Sequence, residues 1–158
     1  MKRIMRILIT CWIALFAFTA CQQYKYDDWK TQNRLWLEQN KTQPGVITTP
    51  TGLQYKVIYP GTKEDRKPNA TSYVTVDYCG SLIDGVVFED RITSGYVNTF
   101  IQGWVEVLCK MHLNADFIFY IPSELAYGEQ GAGKEGYEGF IPPHSTLIFE
   151  IHLSDIAN

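Results

Sequence analysis

The chain has 158 residues, which suits one globular domain with an N-terminal extension and excludes two domains of ordinary size. Hydrophobic residues make up 46% of it and charged residues 20%, a composition typical of a folded protein. The formal net charge is −3, and loss of the first twenty residues would make it −6, because 11 basic residues would then face 17 acidic ones. An acidic surface argues against nucleic acid as a partner.

In residues 1–20, basic residues come first and an apolar run follows, which is the order typical of a secretory signal. The apolar run over residues 7–18 is too short to span a bilayer comfortably. It ends in a small-residue pair before Cys21, which resembles the lipobox of bacterial lipoproteins, with Phe18 where an aliphatic residue is usual. We therefore predict cleavage before Cys21, its lipidation, and anchoring in the cell envelope, at the outer membrane facing the periplasm or the cell surface. The alternatives are an ordinary cleaved signal and an uncleaved anchor.

Two cysteines remain outside the predicted signal and lipidation site. Cys79 directly follows an inward-facing position on a predicted strand and should point outward, whereas Cys109 falls on a predicted helix under the sheet. We predict two small, semi-buried thiols, with a disulfide as the alternative.

Residues 21–49 are predicted to form a tether with one short amphipathic helix. Asp27 and Asp28 provide a possible N-cap, and two tryptophans seven residues apart, Trp29 and Trp36, fall on one helical face. That face could pack on the domain or form a dimer contact. The segment from residue 41 to 50 contains two prolines and a glycine, so it is predicted to be a spacer.

Residues 50–158 have the alternating pattern of a sheet. Its apolar positions form three alternating runs: Leu53, Tyr55 and Val57; Val74, Val76 and Tyr78; and Leu147, Phe149, Ile151 and Leu153. Residues 117–121 form a short apolar strand, and residues 104–111 a short helix. The pattern indicates one α+β domain, with a mostly antiparallel sheet covered by one helix.

Most of the specific signal lies in five motifs: Tyr78-Cys79-Gly80, Asp84-Gly85 followed by Phe88, Ile101-Gln102-Gly103-Trp104, Ala126-Tyr127-Gly128, and Phe140-Ile141-Pro142-Pro143-His144. In this order, and ending in the strand at 145–149, they resemble the FKBP family of peptidyl-prolyl isomerases over about residues 50–156. The lead-in at 51–55 resembles its bacterial members. The resemblance implies a five-stranded antiparallel half-barrel wrapped around a short helix, with a shallow hydrophobic pocket between them.

The resemblance also assigns residues to that pocket: Trp104 as its floor, Tyr78, Phe88 and Phe149 as walls, and Ile101 and Tyr127 at the rim. Further expected substrate contacts are Tyr96 or Val97 as another wall, and Phe140 and Ile141. For single aromatic residues, plain core packing is the competing interpretation. Gly103 and the paired prolines 142–143 favour a functional site, because such residues form poor cores.

The implied activity is rotation about the X-Pro bond, which needs no nucleophile and no cofactor. A backbone N–H at Ile101 and the Tyr127 hydroxyl would hold the carbonyls that flank the proline. The partners implied are proline-containing polypeptides, and the family's pocket also admits macrolide-type inhibitors. Three histidines lie far apart without metal-site spacing, so no metal is expected: His112, His144 and His152.

Glu89 departs from the family pattern, which has aspartate after the wall phenylalanine. The longer side chain of glutamate shifts the carboxylate relative to that of aspartate, and such a shift lowers catalytic rates. The alternative function is therefore an FKBP-like peptide-binding or chaperone module with weak or no turnover. A third hypothesis, based on the paired tryptophans of the tether helix, is a surface adhesion or assembly lipoprotein in which the domain is only a scaffold. The loop at 128–139 is longer than is usual in the family, and it either reshapes access to the pocket or is a solvated insertion.

Overall fold

The computed structural model describes residues 26–62 and 66–157, and its centre is one six-stranded antiparallel sheet. The elements in chain order are α1 (26–40), β1 (Val46–Thr48), β2 (Gln54–Tyr59), β3 (Tyr73–Leu82), β4 (Val87–Tyr96), α2 (Gln102–Leu108), β5 (Asp116–Ile121) and β6 (Leu147–Ala157). Short 3-10 turns cover Val97–Thr99 and Ser123–Leu125. The strands lie in the order β1-β2-β5-β6-β3-β4, so the longest strand, β6, lies in the middle of the sheet between β5 and β3.

Alternation along β3 and β6 gives the sheet one buried face. Val74, Val76 and Tyr78 are buried on β3, and the alternating positions from Leu147 to Leu153 are buried on β6. Helix α2 contributes the buried side chains of Trp104, Val107 and Leu108 to the same core. The predicted α+β arrangement of an antiparallel sheet with a short helix is confirmed.

The sheet has six strands where five were predicted. The additional strand is β1, which lies inside the segment at 41–50 that was predicted to be a spacer. Gly45 has a φ of +80°, which suits glycine, and turns the chain so that Val46–Thr48 pairs with β2. Proline and glycine in this segment therefore form a turn into the sheet.

Helix α1 packs on the sheet domain. Trp29 packs against the hydrophobic core, and the Trp36 ring lies 5.6 Å from the ring of Tyr120. Of the two roles considered for these tryptophans, the structure shows packing on the domain. The signal segment and Cys21 lie outside the described residues, and within those residues no helix is long and apolar enough to cross a membrane.

Buried polar side chains fix α1 in place. Asn33 is 2% exposed; its Oδ1 accepts a hydrogen bond from the backbone N–H of Thr146 at 2.7 Å, and its Nδ2 donates to the carbonyl of Trp29. At the other end of the helix, Asn40 donates to the Gln54 side chain at 2.9 Å. These contacts join α1 to β2 and to the start of β6.

Replacing Asn33 by alanine should lower the free energy of unfolding by about 1–3 kcal/mol, because it leaves the buried N–H of Thr146 without its acceptor. Chemical denaturation of the purified protein measures this change. Gln39→Ala, at an exposed position of the same helix, is the matched control and should be nearly neutral. Equal stabilities for the two variants would contradict the role given to Asn33.

Cys79 and Cys109 are free, half-buried thiols. Cys109 caps the C-terminal end of α2. Burial raises the pKa of both thiols, and the Asp90 and Glu150 carboxylates beside Cys79 raise its pKa further. Both thiols are thereby kept protonated and weakly nucleophilic.

Candidate functional site

A cavity of about 190 Å³ opens between α2, the inner side of β4 and the loop that carries Tyr127. Its lining residues are Tyr78, Glu89, Arg91, Thr93, Thr99, Phe100, Ile101, Trp104, Tyr127 and Phe149. The cavity therefore joins an aromatic floor to a polar wall.

Trp104 forms the centre of the aromatic part. It is 4% exposed, and its ring contacts Tyr78 at 4.8 Å and Phe149 at 5.1 Å, both edge to face. The Phe100 ring lies 5.1 Å away at a tilted angle. These are the distances and angles that aromatic pairs prefer, so the rings hold one another in a fixed arrangement.

Two glycines allow close packing around the aromatic floor. A Cβ at Gly103 would lie 2.4 Å from Cγ2 of Ile121, so only glycine lets the start of α2 come this close to β5. A Cβ at Gly80 would lie 2.6 Å from the Phe88 ring and 2.8 Å from the Phe149 ring. Both positions set the depth of the aromatic floor.

Phe88 supports the cavity without lining it. A register shift pairs Gly80 with Glu89 and Ser81 with Val87, which leaves Phe88 as an extra residue in the hairpin. Its buried ring contacts Phe149 edge to face at 5.5 Å. Phe88 therefore holds Phe149 in position.

The polar wall consists of three linked side chains. The Nε–H of Arg91 donates to the Tyr78 hydroxyl at 3.0 Å and lies 2.9 Å from Oε1 of Glu89. Burial, and then the nearby Glu89 carboxylate, raises the pKa of Tyr78 to about 12. The Tyr78 hydroxyl thus stays protonated through the physiological range.

Two polar groups at the rim are available to a ligand. Within the described ranges, nothing accepts a hydrogen bond from the backbone N–H of Ile101, which caps α2. The Tyr127 hydroxyl likewise has no hydrogen-bond partner there, and its side chain is half-buried at the rim. Burial, with a smaller effect of the Glu89 carboxylate, raises the pKa of Tyr127, so this hydroxyl remains a donor.

Tyr96 and Val97 do not line the cavity, which corrects their expected role as a wall. From residue 89 to residue 95 the odd-numbered positions of β4 pair with the inward-facing positions of β3, so Tyr96 faces outward and packs edge to face on Tyr73. Val97 is fully buried in the core. Because the chain between β4 and α2 is short, Phe100 fills the wall position.

Phe140 and Ile141 also lie away from the cavity. Ile141 is buried and forms a bridge with Ala132 across the loop, and Phe140 lines a separate groove beside α1. Neither residue lines the Trp104 cavity, so contact of Phe140 or Ile141 with substrate stays a prediction.

Four lining residues had no role assigned from the sequence: Arg91, Thr93, Thr99 and Phe100. The period-two pattern of β4 from Glu89 indicates Arg91 and Thr93 as further lining residues. Phe100 lies in extended backbone just before α2, where no such pattern applies. Among the residues that the structure describes, no cluster of three or more histidine, cysteine or acidic side chains is placed to hold a metal.

The geometry of the cavity defines a class of ligand-binding protein. A small aromatic cavity with free hydrogen-bonding groups at its rim suits a compact apolar ring within a polypeptide, held by carbonyls on either side. The chemistry available here is binding and orientation.

Comparison with known proteins gives the family. The model of the FKBP-type peptidyl-prolyl cis-trans isomerase domain matches residues 64–154, and that of the domain amino-terminal to it matches residues 13–57. The chain belongs to the FKBP-type peptidyl-prolyl cis-trans isomerase family.

Individual relatives agree with this family. The chain is 39% identical over 137 residues to the outer membrane protein MIP of Legionella longbeachae, covering 84% of this chain and 56% of that protein. It is 39% identical over 142 residues to the FKBP-type 22 kDa peptidyl-prolyl cis-trans isomerase of Escherichia coli, covering 87% and 66%. The chain thus spans between half and two thirds of the length of these relatives.

Solved structures are similar throughout the domain. The crystal structure of FkpA from Escherichia coli has a TM-score of 0.78 at 32% identity, covering 87% of this chain and 63% of that one. A peptidyl-prolyl cis-trans isomerase from Pseudomonas syringae has a TM-score of 0.73 at 32% identity, covering 81% and 92%.

Proposed function

We propose that this protein is a peptidyl-prolyl cis-trans isomerase that acts on exported polypeptides at the bacterial cell envelope. The observation that carries the proposal is the cavity itself, in which Trp104 is enclosed by the rings of Tyr78, Phe100 and Phe149. Relatives at about 40% identity include proteins named as isomerases of this type.

The reaction requires the cavity to favour a twisted amide. Amide resonance imposes a barrier of about 18–20 kcal/mol on rotation of the peptide bond. A twisted amide has lost that resonance and much of its dipole, so a dry aromatic cavity destabilises it less than the planar, well-solvated amide. Each 1.4 kcal/mol or so of this preference accelerates rotation roughly tenfold.

The polar groups of the site supply orientation. We place the proline ring on Trp104, with the Ile101 N–H and the Tyr127 hydroxyl donating to the carbonyls of the substrate chain. Both donors lack partners within the described part of the chain, which makes them available for this role. The link from Glu89 through Arg91 to Tyr78 holds the polar wall against the floor.

A peptide-binding or chaperone module with little turnover is the second candidate, because Glu89 replaces the family's aspartate. The contacts of Glu89 favour turnover. Its Oε1 lies 2.9 Å from Nε of Arg91, which is two residues along on the same face of β4. The ion pair with Arg91 therefore accommodates the extra methylene of glutamate.

We expect Glu89→Asp to be no faster than wild type in accelerating cis-trans exchange of an X-Pro peptide, because the shorter arm withdraws the carboxylate from Arg91. Glu89→Gln should be slower by up to about fivefold, the effect of losing one partly exposed ion pair. Rates are measured with the purified protein and compared with the uncatalysed exchange. A peptide that binds without turnover by wild type, together with a faster Glu89→Asp variant, would establish the second candidate instead.

For localisation we propose a lipid anchor at Cys21, with the domain at the outer membrane facing the periplasm or the cell surface. The signal-like segment and the name of the Legionella relative support this. Intact-mass measurement of the membrane-extracted protein tests it, and an unmodified Cys21 would refute it. We further propose that macrolide-type inhibitors occupy the Trp104 cavity, which competition with an X-Pro peptide would test.

A further inference from the structure

A second groove, of about 220 Å³, lies between the first turns of α1, the β3–β4 turn and the segment before β6. We call it the α1 groove, and its residues include Tyr26, Asp28, Trp29, Asp84, Phe140 and Pro142. It shares no lining residue with the Trp104 cavity. Its size is similar to that of the cavity, so it can take a single large side chain.

The walls of the α1 groove are aromatic and held by hydrogen bonds. The indole N–H of Trp29 donates to Oγ of Ser145 at 2.9 Å, and that hydroxyl donates to the carbonyl of Pro142 at 2.7 Å. This chain connects one wall of the groove to the other through a buried serine. The two walls are therefore kept at a fixed separation before any ligand arrives.

The rim of the α1 groove carries two carboxylates and no basic side chain. Asp28 accepts one hydrogen bond through Oδ2 from Gln32, and Asp84 accepts one through Oδ1 from the N–H of Val86. Neither carboxylate forms an ion pair within residues 26–62 and 66–157. The carboxylates of Asp28 and Asp84 thus lie beside the aromatic walls of the groove without a basic partner in these residues.

We propose that the α1 groove binds an arginine side chain of a polypeptide. A guanidinium is flat and weakly hydrated, so it stacks on aromatic faces while its N–H groups donate to carboxylates. The groove combines both kinds of partner, Trp29 and Phe140 with Asp28 and Asp84. The acidic balance of the whole chain, 17 acidic against 14 basic residues, favours a cationic partner as well.

The α1 groove gives the proposed isomerase a second contact with its substrate. Arginine binding there does not require isomerase activity. One loop begins at Tyr127, at the rim of the Trp104 cavity, and ends at Phe140 in the α1 groove. A long client with an arginine and a proline can occupy both sites, and the second contact then adds avidity. A short X-Pro peptide without arginine uses the cavity alone.

The test is NMR titration of the full chain with acetyl-Ala-Arg-Ala-amide, read at the indole N–H of Trp29, which is assigned with Trp29→Phe. We expect a saturable shift with a dissociation constant on the order of millimolar, as for one side chain. The same peptide with glutamine in place of arginine should give no saturable shift. Because the readout is binding at Trp29, it remains valid if the protein proves inactive as an isomerase.

The double variant Asp28→Asn, Asp84→Asn should bind the arginine peptide at least about tenfold more weakly, because asparagine keeps the local hydrogen-bond acceptors and removes the charges. Asp155→Asn, an exposed aspartate elsewhere, is the matched control and should bind like wild type. Three results would overturn the proposal: equal shifts with the glutamine peptide, undiminished binding by the double variant, or a response to choline but not to the arginine peptide.

Discussion

Gly103→Ala should lower the melting temperature by a few degrees, up to about 8 °C, and abolish most of the proposed isomerase activity. A Cβ at this position would lie 2.4 Å from Cγ2 and 2.9 Å from Cδ1 of Ile121, which is fully buried. Such overpacking typically costs about 1–3 kcal/mol, more than the helix propensity gained from alanine, which is about 1 kcal/mol. The clash forces α2 away from β5 and displaces the adjacent Trp104.

A double-mutant cycle separates this clash from a general effect of the substitution. Ile121→Ala removes the three side-chain atoms nearest to the new Cβ, and by itself it should cost about 2–5 kcal/mol. In that background Gly103→Ala should be neutral or stabilising, so the two changes are strongly non-additive. Thermal unfolding of the four proteins gives the coupling. Additive effects would show that Ile121 is not the obstacle.

Trp104→Leu should reduce kcat/KM for an X-Pro peptide by roughly a hundredfold. The tryptophan makes ring contacts with three neighbours, Tyr78, Phe100 and Phe149. Leucine lacks the indole face on which we place the proline ring, and a loss of about 2.7 kcal/mol from transition-state binding corresponds to a hundredfold in rate. Leucine keeps part of the apolar volume, so the variant should remain folded.

Tyr96→Leu is the matched control for this prediction. It removes an aromatic ring from the outer side of β4, where Tyr96 packs on Tyr73, and should leave kcat/KM unchanged. Far-ultraviolet circular dichroism checks that both variants are folded. A larger loss for Tyr96→Leu than for Trp104→Leu would mean that the register of β4 assigned here is wrong.

The ordered motifs allowed the fold and most of the cavity to be predicted, because they lie at positions with strong local constraints. Gly103-Trp104 opens a helix, and Tyr78 and Phe149 occupy inward positions of period-two strands. At these places the local pattern and the tertiary contacts agree. The family resemblance could therefore be transferred residue by residue.

The sequence did not predict the features that depend on pairing between strands distant along the chain. β1 forms because β2 offers an edge to Val46–Thr48, and nothing within the Pro- and Gly-containing segment reveals that partner. Tyr96 faces away from the cavity, contrary to expectation, because the register of β4 on β3 decides which side of the strand faces the cavity. A one-residue change of register moves every side chain to the other face.

Helix α1 illustrates the same limit. Its two tryptophans predicted an apolar face, but they did not predict whether that face packs on the domain or on a second molecule. The deciding contacts are polar, from Asn33 to Thr146 and from Trp29 to Ser145, each more than 100 residues apart. Such pairs cannot be read from periodicity.

Cis-trans exchange in a short X-Pro peptide, followed by magnetisation-transfer NMR with a substoichiometric amount of protein, tests the central claim most directly. Unaided exchange takes tens to hundreds of seconds at 25 °C. With wild-type protein, exchange cross-peaks between the cis and trans resonances should appear within a mixing time of about a second or less, and Trp104→Leu should remove them. Folded wild-type protein that leaves the exchange at its uncatalysed rate would contradict the account.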